Sequence, residues 1–365
     1  MLASLAAVAL GFHAAAPAGR TSPAVSMKSH LIIQNKGGGH GEIGYHLALQ
    51  LAAREGDDVT VLHEGSDTGK PPHAAYGDLA AAGVKVIWSG DLSNAASALS
   101  SLGGTAYSSV VDNWSKSPEH ISPYATQAKE WGVDHYAYVS SAGMYSPAKG
   151  DYSAVEEDCD VKSTGQRKAE ETLSQLELPY TLFRPQYIYG PKQGKSYLQF
   201  FFDRLTRGKP VPVPGKGDQQ VSMTHAADNA AMIAAAIGNS QAVGQTFNCA
   251  TGDTVSYDEL VQMCADAAGV AAAVEHYEPP DAKPANFKFP FRDTPFFVSV
   301  DKATQLLGFA PVHRLADDIG WYYQDNYVGR GAADKAVDLD VDQEVLGSAE
   351  PVGAAPDGFV WGGVY

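Results

Sequence analysis

Apolar and polar positions along the chain fall into two kinds of run. Short, nearly continuous apolar stretches occur at "HLIIQN" (30–35), "DVTVLHEG" (58–65), "VKVIWSG" (84–90), "SSVVDN" (108–113), "HYAYVSS" (135–141) and "YTLFRPQYIYG" (180–190). Each reads as a strand buried on both faces. Between them lie stretches with helical spacing. In "EIGYHLALQLAAREG" (42–56), Ile43, Leu47 and Leu51 share one face. This alternation predicts an α/β fold with a doubly wound parallel sheet.

Past Gly190 the pattern changes. Pro- and Gly-rich pieces such as "KPVPVPGKGDQQ" surround isolated helical stretches. We therefore divide the chain into a Rossmann-like dinucleotide-binding domain over 28–190 and a smaller C-terminal, substrate-type lobe over 191–330. Later strands from about 221–253 return to the sheet, with "GQTFNCATGD" (244–253) as one more strand. Residues 331–365 form an acidic tail, rich in Ala and Gly, that we expect to be partly disordered. No internal repeat is visible.

Residues 1–27 hold no acid and one base, Arg20, and open on a short apolar run. This reads as a targeting presequence, directing the chain to a plastid stroma or serving as a plain secretory signal. No other stretch approaches a membrane span. Cys159, Cys249 and Cys264 are far apart and contain no CxxC, which argues against a disulfide framework and against a cysteine metal site. The formal net charge is −16, of which residues 28–330 carry −11. A body this acidic excludes nucleic-acid binding through its overall field and requires a local basic patch instead.

"NKGGGHGEIGYHL" follows the first strand and opens the first helix. Gly38, Gly41 and Gly44, with His40 among them, let the backbone turn tightly and approach a pyrophosphate at a helix N-terminus. Glu64 stands 20 residues after Gly44, where an acid holds an adenosine ribose. It favours NAD over NADP, although His63 beside it blurs the preference.

"YVSSAGMYSP" (138–147), "RPQYIYGP" (184–191) and "VSMTHAADNAAMI" (221–233), which holds His225 and Asp228, resemble in order the prints of extended short-chain dehydrogenases. That family's chemistry uses a serine, a tyrosine and a lysine. Ser141 and Lys168 stand at the serine and lysine places, but four residues before the lysine is Thr164, not tyrosine. A threonine hydroxyl has too high a pKa to replace a phenol as acid/base, so Ser141 and Lys168 are read as vestigial.

One atypical subgroup fits more of the chain. "GGGHGEIG", "VVDNWSKSPEHI", "FFFDRLTRGKPVPVPGKG", "FNCATGDTVSYDEL" and "FKFPFRDTPFFVSVDKATQLLGFAP" make the sequence similar to the chloroplast stem-loop RNA-binding proteins. The resemblance implies binding of structured RNA in a chloroplast, action in RNA processing or stability, and divalent-cation-dependent endoribonuclease activity. It also implies contacts with plastid ribosome or transcription assemblies and homo- or hetero-oligomers. The alternatives are an NAD-dependent sugar-nucleotide epimerase or reductase, and a non-catalytic scaffold that senses NAD.

Residues 192–216 supply the basic patch such binding needs. Lys192, Lys195, Arg204, Arg207, Lys209 and Lys216 face a single acid, Asp203. These cations read either as phosphate contacts or as the solvated side of an amphipathic helix. Tyr197 and Phe200–Phe202 lie among them; the phenylalanines read as core. No metal-ligand spacing is visible: His225 with Asp228 and similar pairs have no third ligand close by in sequence. A divalent ion would be held through RNA phosphates.

Overall fold

The computed structural model describes residues 28–34, 42–69, 76–191, 197–279 and 287–346. Its centre is a seven-stranded sheet in the order β11-β6-β5-β4-β1-β2-β3. These are β1 Ser29–Gln34, β2 Asp58–Glu64, β3 Lys85–Gly90, β4 Ser109–Asn113, β5 His135–Val139, β6 Tyr180–Pro185 and β11 Thr246–Cys249. All neighbours pair parallel; Ile32 sits between Val61 and Val111. The order reverses beside β1, between β2 and β4, which is where a Rossmann sheet opens a ligand crevice.

Continuous apolar strands are explained by helices on both faces. Successive side chains of a strand point to opposite faces. Ile32, Val61, Val111 and Phe247 pack with α1 (Ile43–Ala52), α7 (Ala226–Ala236) and α9 (Asp301–Leu307). Leu31, Ile33, Val110 and Tyr136 pack on the other side with α3 (Ala95–Ser100), α4 (Pro118–Trp131) and α5 (Gly165–Gln175). The short helix α2 (Gly77–Ala81) lies between β2 and β3 in sequence.

The lobe has its own core. It joins α6 (Gln199–Leu205), β8 (Val211–Pro214), α8 (Tyr257–Ala268), β13 (Val274–Tyr277) and α10 (Leu315–Tyr322). Phe201 and Phe202 are fully buried in it, as expected of core phenylalanines. Two short pairs lie outside the main sheet: β7 (Ile188–Tyr189) with β10 (Thr224–His225), parallel, and β9 (Gln220–Val221) with β12 (Val255–Ser256), antiparallel.

One expectation needs correction and one gains detail. The stretch 180–190 is not one strand: β6 ends at Pro185, and Tyr187 turns the chain with φ 35° before β7 begins. The tail is folded as far as α11 (Asp340–Leu346), whose Val345 and Leu346 join the lobe core. Among the described residues no helix is long and apolar enough to cross a membrane.

Candidate functional site

Of the glycine loop, Gly38, His40 and Gly41 lie outside the described residues. Gly44 is in the first turn of α1, where a Cβ would run into the Gln34 carboxamide on β1. Its missing side chain lets the helix approach the strand, the place of the third glycine in a dinucleotide fingerprint. Glu42 is turned inward and accepts from Tyr76 Oη at 2.7 Å, so its carboxylate is buried. Glu64 stands half-buried at the end of β2. His63 beside it is spent on structure: its ring lies 4.5 Å from Trp88, and Nδ1 bonds the Glu64 carbonyl at 2.7 Å. Gly44, the N-terminus of α1 and Glu64 stand where a dinucleotide's pyrophosphate and ribose would be held.

The residues at the serine and lysine places each have their own surroundings. Ser141 caps a short 3-10 turn, Ala142–Met144, and its Oγ accepts from Gly143 N–H at 3.1 Å. Lys168 is exposed on α5, with Glu119 as an electrostatic neighbour. No hydrogen bond joins Ser141 to Lys168 among the described residues. Thr164 is the N-cap of α5: its Oγ1 accepts from Arg167 N–H at 3.1 Å, and its extended backbone (φ −118°, ψ 166°) lies outside the helix.

Tyr145, the nearest phenol in sequence to Ser141, is fixed elsewhere. Its hydroxyl donates to Asn248 Oδ1 at 2.7 Å and accepts from Arg184 Nη1 at 3.0 Å. Arg184 in turn donates to both Glu170 oxygens, Nε at 3.0 Å and Nη2 at 2.7 Å. Burial pushes the Tyr145 phenol well above its ordinary range, the opposite of what an acid/base at neutral pH needs.

Sequence reasoning missed Arg292. Its guanidinium, half-buried, stacks on Phe296 at 3.5 Å and donates to the carbonyls of Gly143 and Tyr145 at 3.2 and 3.0 Å. With Ser141, Gln186, Tyr187 and Tyr197 it lines a cleft of about 130 Å³ at the carboxyl ends of β5 and β6. The signal available was one arginine set in an aromatic run, Phe287, Phe289, Phe291 and Phe296.

The basic patch is partly dismantled. Lys192 and Lys195 lie outside the described residues. Lys209 and Lys216 are exposed. Arg204, only 5% exposed, is not the free cation we expected. Its Nε and Nη2 donate to Asp342 at 2.8 and 2.7 Å, and it covers the Phe200 ring. Arg207 is also taken up, by Asp203, Tyr327 Oη and the carbonyls of Ala333 and Lys335. The tail thus supplies the carboxylate of Arg204 and two carbonyls of Arg207.

The fold also supplies His225 with the neighbours its sequence surroundings lack. His313 and Asp318 bring potential ligand atoms within 4.8 Å of His225 and of one another. The imidazoles stack face to face, 3.7 Å apart at 16°. Their in-plane lone pairs therefore do not converge on one ion, and His225 Nδ1 already accepts from Ala227 N–H at 3.1 Å. The cluster acts as a latch, completed by His313 Nδ1 on Asp318 at 3.1 Å, Tyr189 Oη on the same carboxylate at 2.8 Å, and Asp228 accepting from Val312 and His313 N–H.

Fold and site together define a Rossmann-type NAD(P)H-binding protein of the epimerase and dehydratase architecture. A family model described as NAD(P)H-binding matches residues 38–240. The chain is 30% identical over 337 residues to the chloroplast stem-loop binding protein of 41 kDa b of Arabidopsis thaliana, covering 90% of this chain and 87% of that one. It is 22% identical over 224 residues to an uncharacterized UDP-glucose epimerase of Bacillus subtilis, covering 55% and 66%. Among solved structures, it superposes on dTDP-glucose 4,6-dehydratase of Bacillus anthracis in complex with NAD (TM-score 0.65, 14% identity, 82% and 98% covered). It also superposes on UDP-glucuronic acid 4-epimerase of Bacillus cereus (TM-score 0.60, 18% identity, 83% and 99% covered). Those structural likenesses establish the fold. The chain belongs to the NAD(P)H-binding family and, within it, to the family of the chloroplast stem-loop binding protein.

Proposed function

We propose that this protein binds structured RNA in a plastid, on a short-chain dehydrogenase fold that has given up hydride transfer. The observation that carries the reading is the 30% identity spanning 87% of a chloroplast stem-loop binding protein. The site supports it from the other side. The acid/base tyrosine is replaced by Thr164, a helix cap, and Tyr145 is locked between Arg184 and Asn248. The glycine loop with Gly44 and Glu64 retains a nicotinamide dinucleotide, which tunes or stabilises the fold without being turned over.

The finer reading is RNA processing by divalent-ion-dependent cleavage. The His225 cluster does not serve as the ion site in its stacked form, so the ion enters with RNA phosphates. A stromal location and larger plastid assemblies belong to the same reading. The presequence 1–27 lies outside the described residues, as do residues 347–365 of the tail.

The experiment measures affinity for a stem-loop RNA against salt concentration, together with turnover on nucleotide sugars in the presence of NAD. The reading expects salt-dependent RNA binding and no turnover. Turnover at enzymatic rates without RNA binding would replace it with an epimerase.

A further inference from the structure

The cleft between Ser141 and Arg292 contains an imbalance of charge. Cations taken out of water are ordinarily paired. Arg292 is half-buried and rests on Phe296, yet it forms no ion pair among the described residues; its bonded partners are two neutral carbonyls. Burial holds its guanidinium below its ordinary range. Arg204 and Arg184, buried to a greater degree, each have a bidentate carboxylate. Among the described residues, then, no carboxylate balances Arg292, and its charge is available to an anion.

The rest of the cleft indicates what that partner is. Ser141 Oγ accepts from Gly143 N–H, which leaves its own proton to donate toward an anion. Tyr187 and Tyr197 form an aromatic wall, packed edge to face at 5.3 Å. Tyr197 is stacked nearly parallel on Phe291, at 13°, which fixes its ring as a platform. Tyr187 sits at φ 35°, a strained backbone of the kind found at binding sites. The amide of Gln186 is committed to Phe296 O and Ser222 Oγ, so it reads no ligand edge. At about 130 Å³, the cleft falls below the roughly 300–1,000 Å³ of ordinary small-molecule sites. A whole nucleotide sugar exceeds it, whereas one ring with its phosphate at the mouth matches.

We propose that this cleft receives a single unpaired nucleotide of bound RNA, its phosphate between Arg292 and Ser141 and its base against Tyr197. This rests on the RNA reading and gives it a location. In a body of −11, RNA approaches only where a cation is exposed to it. An aromatic wall accepts any base, so the cleft distinguishes unpaired from paired RNA rather than one sequence from another.

The test uses the full chain, a stem-loop RNA carrying 4-thiouridine in its loop, and a fully paired duplex of the same stem. On wild type, light-induced cross-links should fall on the peptide containing Tyr187 or Tyr197. Arg292→Gln should lower the salt slope of stem-loop binding by about 0.7, the value for one single-strand phosphate contact, while Arg292→Lys keeps it. Tyr197→Ala should weaken stem-loop binding roughly 5- to 150-fold and leave duplex binding unchanged. Cross-links confined to other peptides, with an unchanged slope in Arg292→Gln, would overturn the cleft while RNA binding itself stands. Absence of stem-loop binding by the wild type would remove the RNA reading and the cleft proposal together. UDP-glucose bound in an Arg292-dependent way, with RNA affinity unaffected, would reassign the cleft to free nucleotides. The cross-link is read on unmodified protein, so a variant that fails to fold does not weaken the test.

Discussion

Asp342 receives two hydrogen bonds from the guanidinium of Arg204, at 2.8 and 2.7 Å, across 138 residues of sequence. Both side chains are about 6% exposed. Breaking one partner of such a pair leaves a buried charge alone. Arg204→Ala or Asp342→Ala should each cost about 3–5 kcal/mol of stability. The double variant should cost less than the two single losses added together, as read by urea denaturation. Additive losses would mean that the pair is not coupled. Replacing Arg204, Arg207 and Lys209 together therefore measures folding before it measures phosphate contacts; the exposed pair Lys209 and Lys216 is the proper probe of that edge.

Thr164 caps α5 through Arg167 N–H at 3.1 Å. Thr164→Ala should lower stability by about 0.5–2 kcal/mol, and Thr164→Ser should restore it. Thr164→Tyr should lose the cap and gain no dehydrogenase turnover, because its backbone is extended and outside the helix. Hydride transfer to NAD by the tyrosine variant, followed at the absorbance of the reduced cofactor, would contradict this placement.

Gly44 packs where a Cβ would strike the Gln34 side chain. Gly44→Ala should displace α1 from β1, costing about 1–3 kcal/mol by overpacking, and should weaken the dinucleotide. Calorimetric titration of wild type and variant with NAD, NADP and ADP-ribose reads both effects. Equal binding by the two proteins would detach the cofactor from this loop.

Three buried histidines set an acid limit. Burial lowers His225 to about 3 and His135 to about 4, and lowers His30 as well, from an ordinary value of 6.5. The groups facing His225 are His46 from α1, His313 and Asp318 across the stack, and Tyr189 and Asp228 nearby. The unfolded chain takes up protons below about pH 6.5 that the folded chain refuses, so stability is intact above that pH and falls steadily toward pH 3–4. Each refused proton contributes about 1.4 kcal/mol per pH unit within its window. In a series of urea melts from pH 7 to pH 4, His225→Gln should flatten the decline; an unchanged slope would show that His225 is protonated in the fold.

The sheet was legible because its central strands are buried on both faces, unlike edge strand β3: Leu31 to Ile33 and Val110 to Val111 admit no amphipathic alternative. The break at Tyr187 was not, since an apolar run does not announce a left-handed residue within it. Ser141, Gly44 and Glu64 were found at strand ends by spacing. Arg292 was not, because its role depends on Gly143 and Tyr145, about 150 residues away, and on what those neighbours lack. Arg204 was misread for the converse reason. Counted within 192–216 it is a surplus cation; the carboxylate that cancels it is in the tail.

The contribution of α11 to the lobe core bears on synthesis as well as stability. Chain elongation proceeds at about 5–20 residues per second, so Arg204 leaves the ribosome on the order of 10 s before Asp342, which lies 138 residues later. For that interval the first six strands can associate, but the pocket around Phe200, Phe201 and Phe202 has neither its counter-charge nor its closing residues Val345 and Leu346. A chain ending a few residues before Asp342 would therefore have a sheet joined to a lobe without its counter-charge or its closing residues.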